Sequence, residues 1–148
     1  MKIRLAKVRD WKKILKLLKE TPELQCSGKK VDDEYTRDYV LDSIKNKKEN
    51  IVLVAEEDKK IIGLLTAELF KKKRYSYLTD FAVVKERRPE GVGRKIYDKF
   101  LELLKKDKVD TLAGITKIKD RAMHKFLKKE GVRLGEKVYF FEKKLFNR

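Results

Sequence analysis

The chain has 148 residues and a formal net charge of +16, with 43% charged residues, a balance that suits either a polyanionic partner such as nucleic acid or a Lys/Glu-rich surface of the kind associated with growth at high temperature. Leu, Ile, Val and Phe still supply about 30% of it, above the roughly 20% at which a highly charged chain stays disordered, so one folded domain spanning residues 1–148 is expected. One cysteine (Cys26) and one histidine (His124) exclude an internal disulfide and a Cys/His zinc site. No stretch is long and apolar enough for a bilayer span or a secretory leader, so a cytoplasmic domain without metal or membrane partner is expected.

From the N-terminus, Lys2 to Val8 alternates charged and apolar residues, as a half-buried strand does. Asp10 is placed to cap a helix with Trp11, Ile14, Leu15 and Leu18 on one face, ending before Pro22. A second helix is predicted from Asp32 to Lys47, with Tyr35, Tyr39, Val40 and Ile44 inward. Glu34, Asp38 and Asp42 line another of its faces, an acidic stripe that either receives a cationic acceptor or complements the helix dipole.

Three strands follow. Ile51–Glu56 and Lys60–Phe70 flank the polar turn Glu57-Asp58-Lys59, a hairpin pattern, and Ser76–Val84 comes after the basic turn Lys71 to Arg74. Helical spacing then places Val92, Ile96, Phe100, Leu103 and Leu104 on one face of a helix over 91–106. Thr111–Thr116 is a short strand. Asp120–Glu130 is a helix with Ala122, Met123, Phe126 and Leu127 inward and Gly131 as its left-handed cap. Val138–Leu145 is predicted to close the chain as a strand. The order is β-α-α-β-β-β-α-β-α-β, an α/β class with a central mixed, mostly antiparallel sheet flanked by helices.

The segment with chemical content is LTDFAVVKERRPEGVGRK, Leu78 to Lys95. A strand runs into a turn carrying Arg87 and Arg88, and Gly91-Val92-Gly93 then opens a helix. The first N–H groups of a helix lack intrahelical partners and lie at the positive end of its dipole. Glycines allow an anion to approach them closely. Neither the dinucleotide fingerprint nor the P-loop fits, because Ile96 stands where the first wants Gly and no Lys-Ser/Thr pair follows.

Arg88-Pro89-Glu90-Gly91-Val92-Gly93 matches the R/Q-x-x-G-x-G/A motif of the GNAT superfamily of acyl-CoA-dependent N-acyltransferases. LTDFAVV resembles that family's fourth strand, and His124 to Val132 resembles its C-terminal signature. The resemblance covers nearly the whole chain. It implies acetyl-CoA as co-substrate, with backbone N–H groups from Arg88 through Gly91, Val92, Gly93 and Arg94 on the pyrophosphate. Phe81 and Val83 would pair with the pantetheine, and Asp120 would stand where the family often has a pantetheine-contacting Asn. Pro89 removes one N–H from the cradle, Glu90 adds a negative charge, and Leu127 occupies the position that often holds a Tyr general acid.

An acyl acceptor amine must lose a proton, so a carboxylate near the fourth strand is the natural base. Asp80, a carboxylate inside an apolar strand, is the first candidate and Glu68 the second. Tyr35, Tyr77 and Tyr139 are candidates for the missing acid. His124 and Lys71–Arg74 are read as structural and solvated, and Cys26 as non-catalytic. The expected activity is acetyl transfer to a primary amine on a small molecule or a protein. The alternative is a non-catalytic nucleic-acid-binding module on the same fold, and a homodimer is left open.

Overall fold

The computed structural model describes residues 1–21, 35–143 and 145–146. Five strands form one sheet in the order β1-β2-β3-β4-β5: Lys2–Leu5, Asn50–Glu57, Lys60–Phe70, Tyr75–Val83 and Thr111–Gly114. The first three pairings are antiparallel and β4 with β5 is parallel. Helices α1 (Trp11–Lys19) and α2 (Arg37–Lys45) cover one face, while α3 (Val92–Lys106) and α4 (Arg121–Lys129) lie on the other.

This layering is written in the central strands. Ile51–Ala55 and Ile61–Ala67 are buried without interruption, as continuous apolar runs become when both faces of a sheet are covered. Leu53, Ala55, Leu65 and Ala67 meet Val92, Ile96, Phe100 and Leu104 of α3. Val52, Val54 and Leu64 meet Ile14, Leu18, Val40 and Ile44. At Gly63 a Cβ would lie 2.6 Å from Ile96 Cδ1, so the missing side chain sets how closely α3 rests on β3. The β2–β3 turn has positive φ at both Asp58 (50°) and Lys59 (63°), the geometry of a tight two-residue hairpin.

Several boundaries move from expectation. β1 stops at Leu5 and a 3-10 turn, Val8–Asp10, intervenes before α1. Asp10 sits at the N-cap position of α1 but makes no side-chain cap there. Its carboxylate instead accepts from Arg4 at 2.8 and 3.0 Å and from the Lys7 N–H at 2.7 Å. α2 begins at Arg37 because the Thr36 hydroxyl accepts the Tyr39 N–H, at 3.2 Å. Residues 32–34 of the predicted helix, with Glu34, lie outside the described residues, as do Pro22 and Cys26. Ala122, expected inward on α4, is exposed.

The larger correction is at the C-terminus. Residues 132–143 form neither helix nor strand, and Tyr139 and Phe141 are 98% and 92% exposed. Gly131 does cap α4 with φ 77°, Val132 N–H reaching Leu127 O at 2.9 Å. Beyond it, β propensity describes a segment that fits a pleated surface without supplying the edge it pairs with.

Asp10 is buried and its partner Arg4 half-buried, and Arg4 also reaches Glu56 at 2.9 Å. The Arg4 guanidinium holds the Asp10 carboxyl below the usual carboxylate range. A depressed carboxyl pKa stabilises the fold above the unfolded value, and this contribution is lost as pH falls through the folded one. Asp10→Asn is therefore expected to cost about 3 kcal/mol at neutral pH by leaving Arg4 under-compensated. Urea unfolding at neutral and strongly acid pH measures the gap between the two proteins. It should close in acid, and an undiminished gap would remove the ion pair as its source.

Candidate active site

The site begins with a fork in the sheet. Tyr75–Leu78 of β4 pair with Thr111–Gly114 of β5, but β4 runs on through Val83 while β5 ends at Gly114. Residues 80–83 therefore pair with β3 alone, and Thr79 is the extra residue at the register shift. Val84 N–H points to β3, bonding Ile62 O at 2.9 Å, so strand alternation turns the N–H and C=O groups of Phe81 and Val83 to the open side. Val83 O accordingly accepts from Arg88 Nε at 2.9 Å.

The N-terminus of α3 stands over this open edge. Gly91, at φ 76°, turns the chain from a 3-10 segment (Lys85–Glu90) into the helix. Lys95 N–H bonds Gly91 O, which leaves the N–H groups of Val92, Gly93 and Arg94 outside the helical ladder. A Cβ on Gly93 would touch the Phe81 ring at 3.5 Å and Val83 Cγ2 at 3.6 Å, so the glycine lies directly against the forked strand. Around Gly91 no atom lies within 4 Å of such a Cβ.

Each of two arginines around this turn is shared by two carboxylates. Arg87 binds both Glu57 and Glu90, so the Glu90 carboxylate is held by a guanidinium that it shares with the β2 end. Arg94 pairs with Asp98 at 3.2 Å and with Glu130, tying the start of α3 to the end of α4. Phe81, Tyr97 and Phe126 pack between β4, α3 and α4. Tyr97 is stacked on Phe81 at 6.4 Å and edge-on to Phe126 at 5.3 Å. Burial, then the Glu130 charge, pushes the Tyr97 phenol up. Tyr97 was missed in the sequence, although it lies four residues after Gly93 and three before Phe100.

On the opposite face of β4, beneath α2, Asp80 is 3% exposed. Its carboxylate accepts from Tyr35 at 3.0 Å, Tyr39 at 2.8 Å and Thr66 at 2.7 Å; Thr66 and Thr79 hydroxyls lie 2.6 Å apart. A register shift between Thr66 and Ala67 brings both threonines to this cluster. Burial first, and then the Asp80 charge, push the Tyr39 phenol far above its ordinary value, so it stays protonated. Glu68 is exposed, and its charge acts on the same phenol. The two candidate carboxylates thus share a face, with Asp80 enclosed by hydroxyls. The signal for this shell was present: Tyr35 and Tyr39 one helical turn apart, and Thr66 alone in an apolar run.

The remaining candidates fall elsewhere. Asp120 caps α4, accepting the Met123 N–H at 3.1 Å, and His124 Nε2 lies 2.8 Å from Lys117 O. Asp38 and Asp42 are exposed on α2. Lys71–Arg74 forms an exposed turn at the end of β4 away from the glycines. Among the described residues, no cluster of His, Cys, Asp and Glu is set to hold a metal, and no helix is long and apolar enough to cross a membrane.

The residues present fit an acyl-CoA. The side-chain-free corner at Gly91, the glycine against Phe81 and Val83, and the turned-out strand backbone provide an anion cradle beside an edge for amides. Thr116, two residues beyond the end of β5, keeps a buried hydroxyl oxygen without a partner.

Comparison with known proteins agrees with this geometry. The family described as "Acetyltransferase (GNAT) family" matches residues 11–131. No curated protein matches the chain. A PaiA N-acetyltransferase from Thermoplasma acidophilum, solved with coenzyme A, superposes with a TM-score of 0.78 at 14% identity, over 87% of each chain. A ribosomal-protein-alanine N-acetyltransferase from Brucella melitensis gives 0.73 at 21% identity, over 88% of this chain and 83% of that one. An aminoglycoside acetyltransferase from an uncultured soil metagenomic sample, solved with sisomicin, gives 0.74 at 18% identity, over 98% and 96%. At these identities the likeness is one of fold.

Proposed function

Since this chain belongs to the GNAT acetyltransferase family, we propose that it moves an acetyl group from acetyl-CoA directly to a primary amine. The observation that carries this reading is the juxtaposition at the fork. The unpaired N–H groups of Val92, Gly93 and Arg94 stand over the strand edge on which Phe81 and Val83 turn their backbone outward. Acetyl-CoA supplies the activated acetyl group as a thioester. The α3 N-terminus holds its pyrophosphate with backbone donors and the helix dipole, and Phe81 and Val83 align its amide-bearing arm as an added strand does.

The chain's own chemical task is then to take a proton from the acceptor ammonium. Asp80 is buried behind hydroxyls, so the proton reaches it through Tyr39 or the Thr66–Thr79 pair, each of which donates and accepts. Tyr39 conducts rather than ionises, because its phenol is held protonated. Glu68, exposed on the same face, attracts the cationic acceptor. Of the tyrosines considered as acids, Tyr35 is bound to Asp80, and Tyr139 is exposed. CoA leaves as a thiolate, with a thiol pKa near 8.5 that makes a dedicated acid dispensable.

The acceptor is a primary amine of a small molecule or of a protein; the similar structures include enzymes named for each class. Calorimetric titration with acetyl-CoA at low and high salt, followed by thiol release with a panel of amines, tests the reading. Saturable one-to-one binding at both salts and amine-dependent thiol release are expected. Absence of both, together with steeply salt-dependent nucleic-acid binding, would instead support the basic binding module.

A further inference from the structure

Three segments far apart in sequence meet at one end of the molecule. The turn between β3 and β4, Lys71–Arg74, is bound to the segment after α3: Arg74 O accepts the N–H groups of Asp110 and Thr111, at 2.9 and 3.1 Å. On its other flank Leu69 N–H reaches Glu49 O at 2.7 Å, which brings in the segment between α2 and β2. Lys47 and Asp107 line one cleft together with Leu69 and Leu103. α3 is 15 residues long, so this end lies about 20 Å from the glycine cradle at the start of the helix.

Residues 47–49, 71–74 and 105–110 carry nine cations and three carboxylates. All nine cations are exposed, and among the described residues none of them belongs to an ion pair. At the cradle end, by contrast, Arg87 and Arg94 are each shared by two carboxylates. Interleaved ion-pair networks, the arrangement through which surface charge stabilises a protein at high temperature, are therefore not what these residues form. Lys105 and Lys106 suit the negative end of the α3 dipole, but the other seven cations lie outside α3. Two of those, Arg74 (φ 51°) and Lys108 (φ 57°), occupy left-handed positions that favour glycine or asparagine. An external polyanion relieves the mutual repulsion of such a cluster.

Aromatic side chains flank the same turn. Phe70 and Tyr75 are cross-strand partners at the end of the β3–β4 ladder, with ring centroids 6.0 Å apart, and Phe70 is 42% exposed. Cations that track a phosphate backbone, beside an exposed ring on which a base stacks, are the components of a single-strand site. An acidic peptide would use only the cations.

We propose that this end of the molecule binds a single-stranded nucleic acid, with phosphates on Lys71–Arg74 and the neighbouring lysines and a base on the Phe70–Tyr75 pair. The cradle stays free, so one chain holds a strand and acetyl-CoA at once.

Fluorescence anisotropy with labelled oligouridylate and oligodeoxythymidylate is the test. Binding is expected, with log affinity falling linearly against log salt. Lys71→Gln, Lys72→Gln and Lys73→Gln combined should weaken it at least about tenfold at low salt and flatten the slope by about 2, at roughly 0.7 per phosphate contact. Phe70→Ala should weaken it about tenfold with the slope unchanged, and Phe70→Tyr should retain it, the signature of stacking. Lys2→Gln, Lys59→Gln and Lys60→Gln combined remove the same charge from exposed positions at the opposite end of the sheet, and should change affinity less than about threefold. Circular dichroism checks that each variant is folded. Absent or salt-insensitive binding overturns the proposal, as do equal losses in the two lysine triples, an unchanged affinity in Phe70→Ala, or tighter binding of a duplex of the same length. Displacement of the strand by acetyl-CoA would place it on the cradle and overturns the proposal too. Tighter binding of the ribose oligomer would bear the proposal out with RNA as the strand, and tighter binding of the deoxyribose oligomer would bear it out with DNA.

Discussion

Gly93→Glu is expected to weaken acetyl-CoA binding by at least about 100-fold while leaving the thermal midpoint almost unchanged, because it changes the cradle and not the fold. Gly93 is a residue of α3 without the positive φ seen at Gly91 and Gly131, and a Cβ there meets Phe81 and Val83 at ordinary contact distance. Glu and Ala both raise helix propensity over glycine, by roughly 0.5–1 kcal/mol, and an acid in the first turn suits the dipole. The side chain nevertheless leaves the first turn toward Phe81 and Val83, where it fills the gap between helix and strand, and its negative charge at the helix start repels phosphate. Gly93→Ala separates bulk from charge, with about tenfold weaker binding and a slightly raised midpoint. Gly91→Glu is a poorer test, since φ 76° strains any L side chain by roughly 1–2 kcal/mol. Calorimetry and thermal melts on the same samples decide the matter. Full affinity in Gly93→Glu would make the glycine turn purely structural.

Which parts of the molecule were legible follows from where the information sits. The buried runs of β2 and β3, the Asp58-Lys59 turn and the α3 stripe are local patterns, and each folds as its spacing dictates. The open backbone at Phe81 and Val83 depends on β5 stopping at Gly114 while β4 continues, a relation between distant strands. The motif's resemblance implies it, and spacing does not. The sharing of Arg87 between Glu90 and Glu57 of the neighbouring hairpin likewise needs three dimensions. The closing strand misleads for a related reason: VYFF states a preference for a sheet, and among the described residues no strand takes it up. Asp80 was noticed because a carboxylate in an apolar strand demands an explanation. Its hydroxyl partners carry a trace as well, Tyr35 and Tyr39 one helical turn apart and Thr66 within an apolar run, but only the register shift and α2 show that they meet.

That shell makes Asp80→Asn the sharper test of mechanism. Asn accepts at Oδ1 and donates at Nδ2, and the hydroxyls of Tyr35, Tyr39 and Thr66 can each turn to donate or accept. The network therefore remains satisfied, and stability should change by less than about 1 kcal/mol, whereas Asp80→Leu would strand three hydroxyls. Asn cannot take up the amine's proton, so kcat should fall by about 100-fold at pH values where the acceptor is an ammonium. The deficit should shrink as pH rises through the acceptor's own pKa, because a neutral amine asks for no base, while acetyl-CoA affinity stays unchanged on the far face of the strand. Tyr39→Phe should slow transfer less, since the Thr66–Thr79 pair offers a second route to the carboxylate. A kcat profile for Asp80→Asn that overlays the wild type at every pH would leave the carboxylate as a structural anchor between α2 and β4. The proton would then leave through solvent near Glu68.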